Sequence, residues 1–473
     1  MPNPRQIYLL DPQKLPPETI AVAFAKTSRS PESFNQIAAE LSEEKSAQFH
    51  EKWVVGYGHS SVAEHAVLHI AVENVSRLAV ETLESCRLAS YTEKSTRYQK
   101  WNNDEFYTPV ELENHPLKEV YDQTVRGLFN AYLAAFPKVQ QIVSRQIPHK
   151  AGESDDAWER RVRSEIVDAC RFYLPAAALA NVGVSMNARA LEHSIQKMLS
   201  HPLAEVRQMG EQIKQVSQQN APTLVKYAEP DQHFEQLQKD LTQIASHVPV
   251  LNESGDWCQL VDWDQNAEDR ALAAALYRFN LIGYAQNLEY VTSLSPNQKQ
   301  ELAAQILSGL GRHDITLREL EYATYTFDLI LDQGAYFEFK RHRMMTQTVQ
   351  PLTTRLGYAV PRLLVEAGVE PEYRAAMQTA AETFEQLYSF NPNVAAYVVP
   401  NGYNRRVLFH MNLRSADHLI NLRTAPNAHF SIRRAAQRIA EQIREVTPIL
   451  GQHLRCCSDE TWQQIEQDFF TQV

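Results

Sequence analysis

The chain repeats itself once over a long interval, which restricts it to folds that can be built twice. Residues 61–87, SVAEHAVLHIAVENVSRLAVETLESCR, and 318–343, RELEYATYTFDLILDQGAYFEFKRHR, each begin with alternating apolar positions (Val67 to Val72; Tyr325 to Leu331) and continue into a helix-compatible stretch ending in basic residues. The spacing predicts a strand followed by a helix in both, with Ser76 and Asp332 as helix N-caps. A second pair lies downstream: LPAAALANVGVSMNARALEHSIQKMLSHP (174–202) parallels VPNGYNRRVLFHMNLRSADHLINLRTAP (399–426). The interval from Pro to Asn is 12 in both (Pro175 to Asn187, Pro400 to Asn412), and the register continues through Arg189/Arg414 and His193/His418. Arg and His at i,i+4 share one helix face.

The copies are offset by 256 at the first landmark (Ser85 to Arg341) and by 225 at the second (Arg189 to Arg414), so the first copy carries 31 extra residues between them. Their expected place is about 138–165, where PHKAGESDDAWERR reads as a loop. Residues 1–228 form one expected unit and 266–473 the other, with 229–265 as a connector holding some helix. A period of roughly 230 residues is too long for a solenoid, so a whole domain is duplicated, predicting a pseudo-two-fold pair that behaves like a homodimer interface.

Composition narrows the chemistry. The 473 residues are 44% hydrophobic and 22% charged, ordinary for a globular protein, and a net charge of −11 disfavours a broad grip on nucleic acid. A small anion held by a local arginine cluster remains compatible. Cys86, Cys170, Cys258, Cys456 and Cys457 form no CxxC pair or disulfide framework, which fits a reducing cytoplasm. The start MPNPRQIYLL has no signal-peptide core, and no window reaches membrane-spanning length, so neither secretion nor a membrane is expected.

Within SYTEKSTRYQ (90–99), Glu93, Ser95 and Arg97 alternate, which in an extended segment places them on one face. A hydroxyl beside an arginine fork suits a phosphate monoester, although such turns are more often plain solvated loops. Arg341-His342-Arg343 closes a predicted helix, where cations gain from the macrodipole with or without a ligand. His59 and His65 match no compact zinc pattern, and no metal site is expected. The sequence lacks GxGxxG, a Walker A loop and a GxSxG elbow, removing the main support for Rossmann, P-loop and hydrolase readings.

These residues resemble the flavin-dependent (alternative) thymidylate synthases, whose signature runs RHRxxSxNExSxRY. In SCRLASYTEKSTRY, residues Arg87, Ser90, Glu93, Ser95, Arg97 and Tyr98 match, while Ser85, Cys86 and Thr92 replace the family's Arg, His and Asn. In RHRMMTQTVQPLTTRLGY, the trio Arg341, His342 and Arg343 is intact and Thr346 takes the Ser place; two extra residues bring in Thr353 and Arg355, and the Glu is missing from that register. NLRSADHLINLRTAP also resembles the family's flavin-contacting helix.

The resemblance implies an α+β fold of two repeated units, each a sheet packed with long helices, paired as a pseudo-dimer. It implies homodimeric chains forming a four-unit assembly and active sites between subunits. It also implies an enzyme that uses FAD, NADPH and methylenetetrahydrofolate to methylate C5 of deoxyuridylate, with no protein nucleophile. By the same resemblance Glu93, Ser95, Arg97, Arg171 and Arg423 contact the nucleotide. His59, Ser61, Asn187, Arg189, His193, Asn412, Arg414 and His418 lie along the flavin, and Arg341, His342 and Arg343 reach a neighbouring site.

Ala396 stands in the place of Arg171 in the second copy, and Met198 in the place of Arg423 in the first. This complementary loss predicts sites built from both copies. If Glu93, Ser95 and Arg97 work with Arg341, His342 and Arg343, the missing partner is the arginine replaced by Met198, and Ala396 also falls on the wrong side. Alternatives are a flavoenzyme acting on another pyrimidine nucleotide and a decayed ligand-binding or assembly protein.

Overall fold

A computed structural model describes residues 5–249 and 255–473. Helix α1 spans Pro17–Lys26. The first copy of the repeat then runs β1 (Val67–Ser76), α2 (Arg77–Leu83), β2 (Ala89–Glu93), α3 (Leu117–Gln146), α4 (Asp155–Cys170), β3 (Leu179–Asn187), α5 (Ala188–Leu199) and α6 (Ala204–Ser217). After an edge strand β4 (Cys258–Trp263), the second copy runs β5 (Thr324–Asp332), α7 (Gln333–Lys340), β6 (Thr346–Val349), α8 (Glu370–Phe390), β7 (Asn404–Asn412), α9 (Leu413–Arg423) and α10 (Phe430–Val446).

The four equivalent strand-to-helix junctions are capped alike. Ser76 Oγ accepts from Ala79 N at 3.0 Å and Asp332 Oδ1 from Ala335 N at 2.9 Å, as the sequence predicts. Asn187 and Asn412 cap α5 and α9 through Ala190 N at 2.9 Å and Ser415 N at 2.8 Å. Each cap satisfies an N–H that the helix start leaves without a partner.

The two larger sheets are antiparallel, ordered β1-β3-β2 and β4-β5-β7-β6, and a third pairs Val360–Pro361 with Phe470–Gln472. Val67 faces Asn187 in one, Thr324 faces Asn412 in the other. A bulge between Val72 and Val75, with Asn74 at φ 57°, gives β1 one residue more than β5. Ser90 pairs with Ser185 as Thr346 pairs with His410, confirming the alignment of Ser90 with Thr346. It also puts Val349 in the place of Glu93, since they pair with Val407 and Val182.

The contacts divide the chain into two compact units that do not follow the repeat. One comprises residues 1–94, 106–118 and 177–251, within which 1–4 and 250–251 lie outside the described residues; the other comprises 95–105, 119–176 and 252–473, within which 252–254 lie outside them. The first unit holds the β1-β3-β2 sheet with α2, α5 and α6. Gly210 on α6 permits a close packing against α5, since a Cβ there would fall 2.7 Å from Met198 Cβ.

The second unit holds the four-stranded sheet, covered by α7, α9 and α10 over a core including Phe327, Leu329, Phe339, Phe409 and Ile439. Segments of both copies meet inside it. Helix α3 runs antiparallel to α8, with Thr124 against Thr383 Oγ1 at 2.7 Å and Lys138 against Glu372 at 3.1 Å. The equivalent prolines Pro175 and Pro400 face each other across an antiparallel bridge. The flanking bonds are reciprocal, Ala176 N to Val399 O and Asn401 N to Leu174 O, both 2.9 Å.

Three sequence expectations need correction. PHKAGESDDAWERR is a loop only to Ser154, whose Oγ accepts from Ala157 N and starts α4 with Asp155 and Asp156 in its first turn. The polarity of this stretch belongs to an N-terminal helical turn. Helix α2 stops at Leu83, short of the basic residue Arg87. Residues 93–97 are not one extended face: β2 ends at Glu93, and Ser95 Oγ captures the Arg97 N–H at 3.1 Å, turning the chain. The connector contains a helix at Gln232–Ala245, and strand β4 begins within the stretch assigned to it. Part of VPVLNESGDWC, residues 250–254, lies outside the described residues.

Candidate active site

Two buried carboxylates organise an arginine cluster in the second compact unit. The Ser95 turn presents Arg97 to Asp168 on the last turn of α4, giving a two-pronged pair with Nε–Oδ1 at 2.8 Å and Nη2–Oδ2 at 2.7 Å. Arg97 Nη1 also donates to Asn427 O at 3.2 Å. Arg171, just past α4, points inward with Nη1 3.8 Å from Glu338 Oε1. Glu338 sits on α7 and accepts at Oε2 from Arg423 Nη1 at 2.7 Å, while Arg423 Nη2 donates to the Glu338 carbonyl at 3.1 Å. The side chains of Arg97, Asp168, Arg171, Glu338 and Arg423 are all 14% exposed or less. Gly334 leaves room for this packing: a Cβ there would fall 3.1 Å from Arg171 Nη2 and 3.0 Å from Asp332 Oδ1.

The electrostatics follow from burial. Desolvation pushes the Glu338 carboxyl up, but the fields of Arg171, Arg423, Arg341 and Arg97 outweigh it and hold the pKa below its ordinary value. Glu338 is therefore an anion at neutral pH. Burial, reinforced by Arg423, His418 and Arg341, pushes His342 well below its ordinary value. Its neutral ring accepts from Arg423 Nε at 2.9 Å. His429 is likewise pushed down by burial and by Arg171 and Arg97. Its Nδ1 accepts from Ser431 N, so the proton resides on Nε2, which faces Asp168 O at 3.1 Å. Arg171 Nε and Nη2 have no hydrogen-bond partner among the described residues.

This cluster takes Arg97, Asp168 and Arg171 from the first copy and Glu338, His342 and Arg423 from the second. The loss expected here at Met198 is thus not a loss of this cluster: Arg423 and Arg171 are both in it. Ser85, Cys86, Met198 and Ala396 are instead the equivalents of Arg341, His342, Arg423 and Arg171, so the replacements all fall on the counterpart set. Arg355, the equivalent of Arg97, forms an exposed pair with Glu385, and Thr82 stands where the second copy has Glu338. Glu93 is in the other compact unit, paired with Arg77 at 2.8 Å with both side chains buried. Arg341 is exposed and Arg343 partly buried. Asp168, Glu338 and His429 were missed in the sequence; the one available signal is an acid three residues before an arginine, in DACR and EFKR.

Two of the flavin-assigned residues of the first copy lie at a cavity of about 750 Å³ in the first compact unit, whereas Asn187, Arg189 and His193 are not on its lining. His59 and Ser61 line it with Phe24, Arg29 and Trp53, and the Arg29 guanidinium lies 4.5 Å over the Trp53 ring. Glu64 lines it too and pairs at 2.5 Å with Arg189, one turn before His193 on α5. The second copy repeats the motif: Arg414 pairs with Glu321 at 2.8 Å, and His418 lies one turn further along α9, its ring 5.7 Å from that of His342.

Comparison with known proteins defines the class. The sequence model described as thymidylate synthase complementing protein matches residues 9–223 and again 259–449, and the chain belongs to that family. A UPF0159 protein of Chlamydia muridarum is 32% identical over 434 residues, covering 88% of this chain and 82% of its own. A UPF0159 protein of Thermoplasma acidophilum is 26% identical over 449 residues, covering 87% and 89%. The flavin-dependent thymidylate synthase of Clostridium tetani is 26% identical over 215 residues, covering 45% of this chain and 83% of its own, about one copy of the repeat.

Proposed function

We propose that this protein is a flavin-dependent enzyme transferring a one-carbon group from methylenetetrahydrofolate to C5 of a pyrimidine acceptor. Deoxyuridylate is the acceptor that the family resemblance implies. The observation that carries the reading is the assembly of Arg97, Arg171, His342 and Arg423 from both copies into one buried cluster, with a single complete set retained per chain. In the net reaction the methylene carbon replaces the C5 hydrogen and one hydride equivalent from NADPH completes the methyl group, while the displaced C5 proton and one proton from solution go to the two folate nitrogens, so that tetrahydrofolate and NADP+ are released. FAD, when bound, relays the hydride.

The residues fit a flavin. An aromatic-walled cavity with Arg29, His59 and Ser61 on its lining offers stacking surface and donors for a large planar anion. By the resemblance, His59, Ser61, Asn187, Arg189 and His193 would lie along a flavin in the first copy and Asn412, Arg414 and His418 along one in the second, with Arg341, His342 and Arg343 reaching a neighbouring site. The remaining work of the chain is positioning. We place the protein in the cytoplasm as a homodimer forming a four-unit assembly, consistent with its free cysteines and with the absence, among the described residues, of a helix long and apolar enough to cross a membrane.

Reconstitution with excess FAD followed by desalting tests the reading: the protein should retain flavin absorbance, and complete loss of colour would overturn it. A changed acceptor is favoured by one observation, the carboxylate of Glu338 among arginines assigned to the nucleotide.

A further inference from the structure

We propose that each chain carries one flavin site, built on the first copy, and that the equivalent loop of the second copy has become a fixed structural element clamped by Arg455. The inference rests on the flavoenzyme reading above and narrows the two flavin sets of the resemblance to one. Val67 opposes Asn187 as Thr324 opposes Asn412, and the 3-10 turns Ser60–His65 and Arg318–Tyr322 lead into those strands. The same register pairs Glu64 with Glu321, each bound to its own helix arginine, Arg189 or Arg414. It therefore sets Gly58, His59 and Ser61 against Ile315, Thr316 and Arg318. Gly58 turns the chain into His59 at φ 74°, whereas Ile315, whose branched Cβ disfavours a positive φ, does not adopt one. His59 and Ser61 line the cavity of the first copy; Thr316 is buried, and its carbonyl accepts from Arg414 Nε at 3.2 Å.

What holds the second loop lies beyond residue 449, the last that the family model matches. Arg455 Nη1 donates to the carbonyls of Gly311 and Asp314 at 2.8 and 2.9 Å, while Nε and Nη2 reach Asp417 Oδ2 at 3.1 and 2.5 Å. Asp417 stands on α9 between Arg414 and His418, and its side chain is 6% exposed. Asn421, one turn further, donates to Arg312 O at 2.8 Å. Cys457 N donates to Thr424 Oγ1 at 2.8 Å and seats the clamp on the end of the same helix. The carbonyls of residues 311, 312, 314 and 316 are thus stitched to α9 or to its clamp, and releasing Arg455 would strand a buried carboxylate. The first copy differs at the matching place: Glu192 stands for Asp417, and burial alone pushes its carboxyl up, with no cation to offset it.

Flavin counting and hydrogen exchange on the full chain test this together. After reconstitution with excess FAD and desalting, flavin absorbance against protein concentration should give about one flavin per chain. Exchange followed by mass spectrometry with and without FAD should slow by about tenfold or more at amides 56–66 and stay unchanged at 311–322, which the clamp already protects. Arg455→Met should speed exchange at 311–317 by about tenfold or more while the flavin count stays at about one. Two flavins per chain overturn the proposal, and so does FAD-dependent protection of 311–322, whether or not the variant folds. A folded Arg455→Met protein with unchanged exchange at 311–317 overturns the clamp. Retention of no flavin at all overturns the flavoenzyme reading as well, whereas two per chain leaves that reading standing and removes this inference alone.

Discussion

Arg97 and Arg355 occupy equivalent places, each following a hydroxyl residue that captures its backbone N–H, at 3.1 Å from Ser95 and 3.2 Å from Thr353. Their surroundings differ, and so should the cost of removing them. Arg97→Ala strands Asp168, 7% exposed, without its cation and is expected to destabilise by about 3–5 kcal/mol in urea unfolding. Arg355→Ala breaks a pair whose side chains are half exposed and should cost about 1 kcal/mol or less. The pattern of a hydroxyl residue two places before an arginine was legible in both copies (Ser95/Arg97, Thr353/Arg355); its partners were not, because Asp168 lies 71 residues from Arg97 and is marked locally only by its place three residues before Arg171.

His342 and His429 add a dependence on pH. Both are neutral in the folded state, with pKa values pushed well below an unfolded value of about 6.5. Protonation therefore favours the unfolded chain: their contribution is complete above about pH 6.5 and is lost as the pH falls below it. Stability followed from pH 8 to about pH 5 should fall through that window, and His342→Gln should flatten the decline.

The four capped junctions show what sequence can reveal about an element. Ser76 and Asp332 were identifiable because a cap is decided by residues three positions apart. Asn187 and Asn412 were read as flavin contacts, and the structure gives each a capping role as well. Asn187→Ala and Asn412→Ala should each cost about 1 kcal/mol from the lost cap. Asn187→Asp keeps the acceptor and should restore the stability, while retained flavin absorbance in both Asn187 variants would show that capping is the residue's whole contribution. The same local logic explains the misreading at 148–161: charge and polarity were taken for a loop, whereas Ser154, Asp155 and Asp156 are what a helix start requires. Across the sheets the copies exchange a detail, His69 Nδ1 meeting Ser185 Oγ at 2.7 Å in one and His410 Nδ1 meeting Thr326 Oγ1 at 2.9 Å in the other. The side chains swap strands while the cross-strand bond persists, so neither sequence position alone would have predicted it.

For the molecule as a whole, the repeat was legible and the distribution of contacts was not. Periodicity reports on which segments are alike, whereas contacts such as Thr124 to Thr383 and Pro175 to Pro400 depend on tertiary packing. Light scattering should give about twice the chain mass of 54.0 kDa for the proposed association, and a monomer at micromolar concentration would refute it. Expressed alone, residues 252–473 should fail to unfold cooperatively, because residues 95–105 and 119–176 belong to the same compact unit.

That interleaving bears on how the protein is made. Segment 119–176 carries Tyr121, Phe129, Tyr132 and Tyr173, all buried in the finished fold, yet it leaves the ribosome well before residues 370–403, which hold Thr383, Tyr373 and Pro400 against it. At about 5–20 residues per second the nascent chain must carry this unfinished aromatic surface for on the order of ten seconds or more. Chaperone demand should therefore peak midway through translation, and slowing synthesis in the second half of the message should lower the soluble yield.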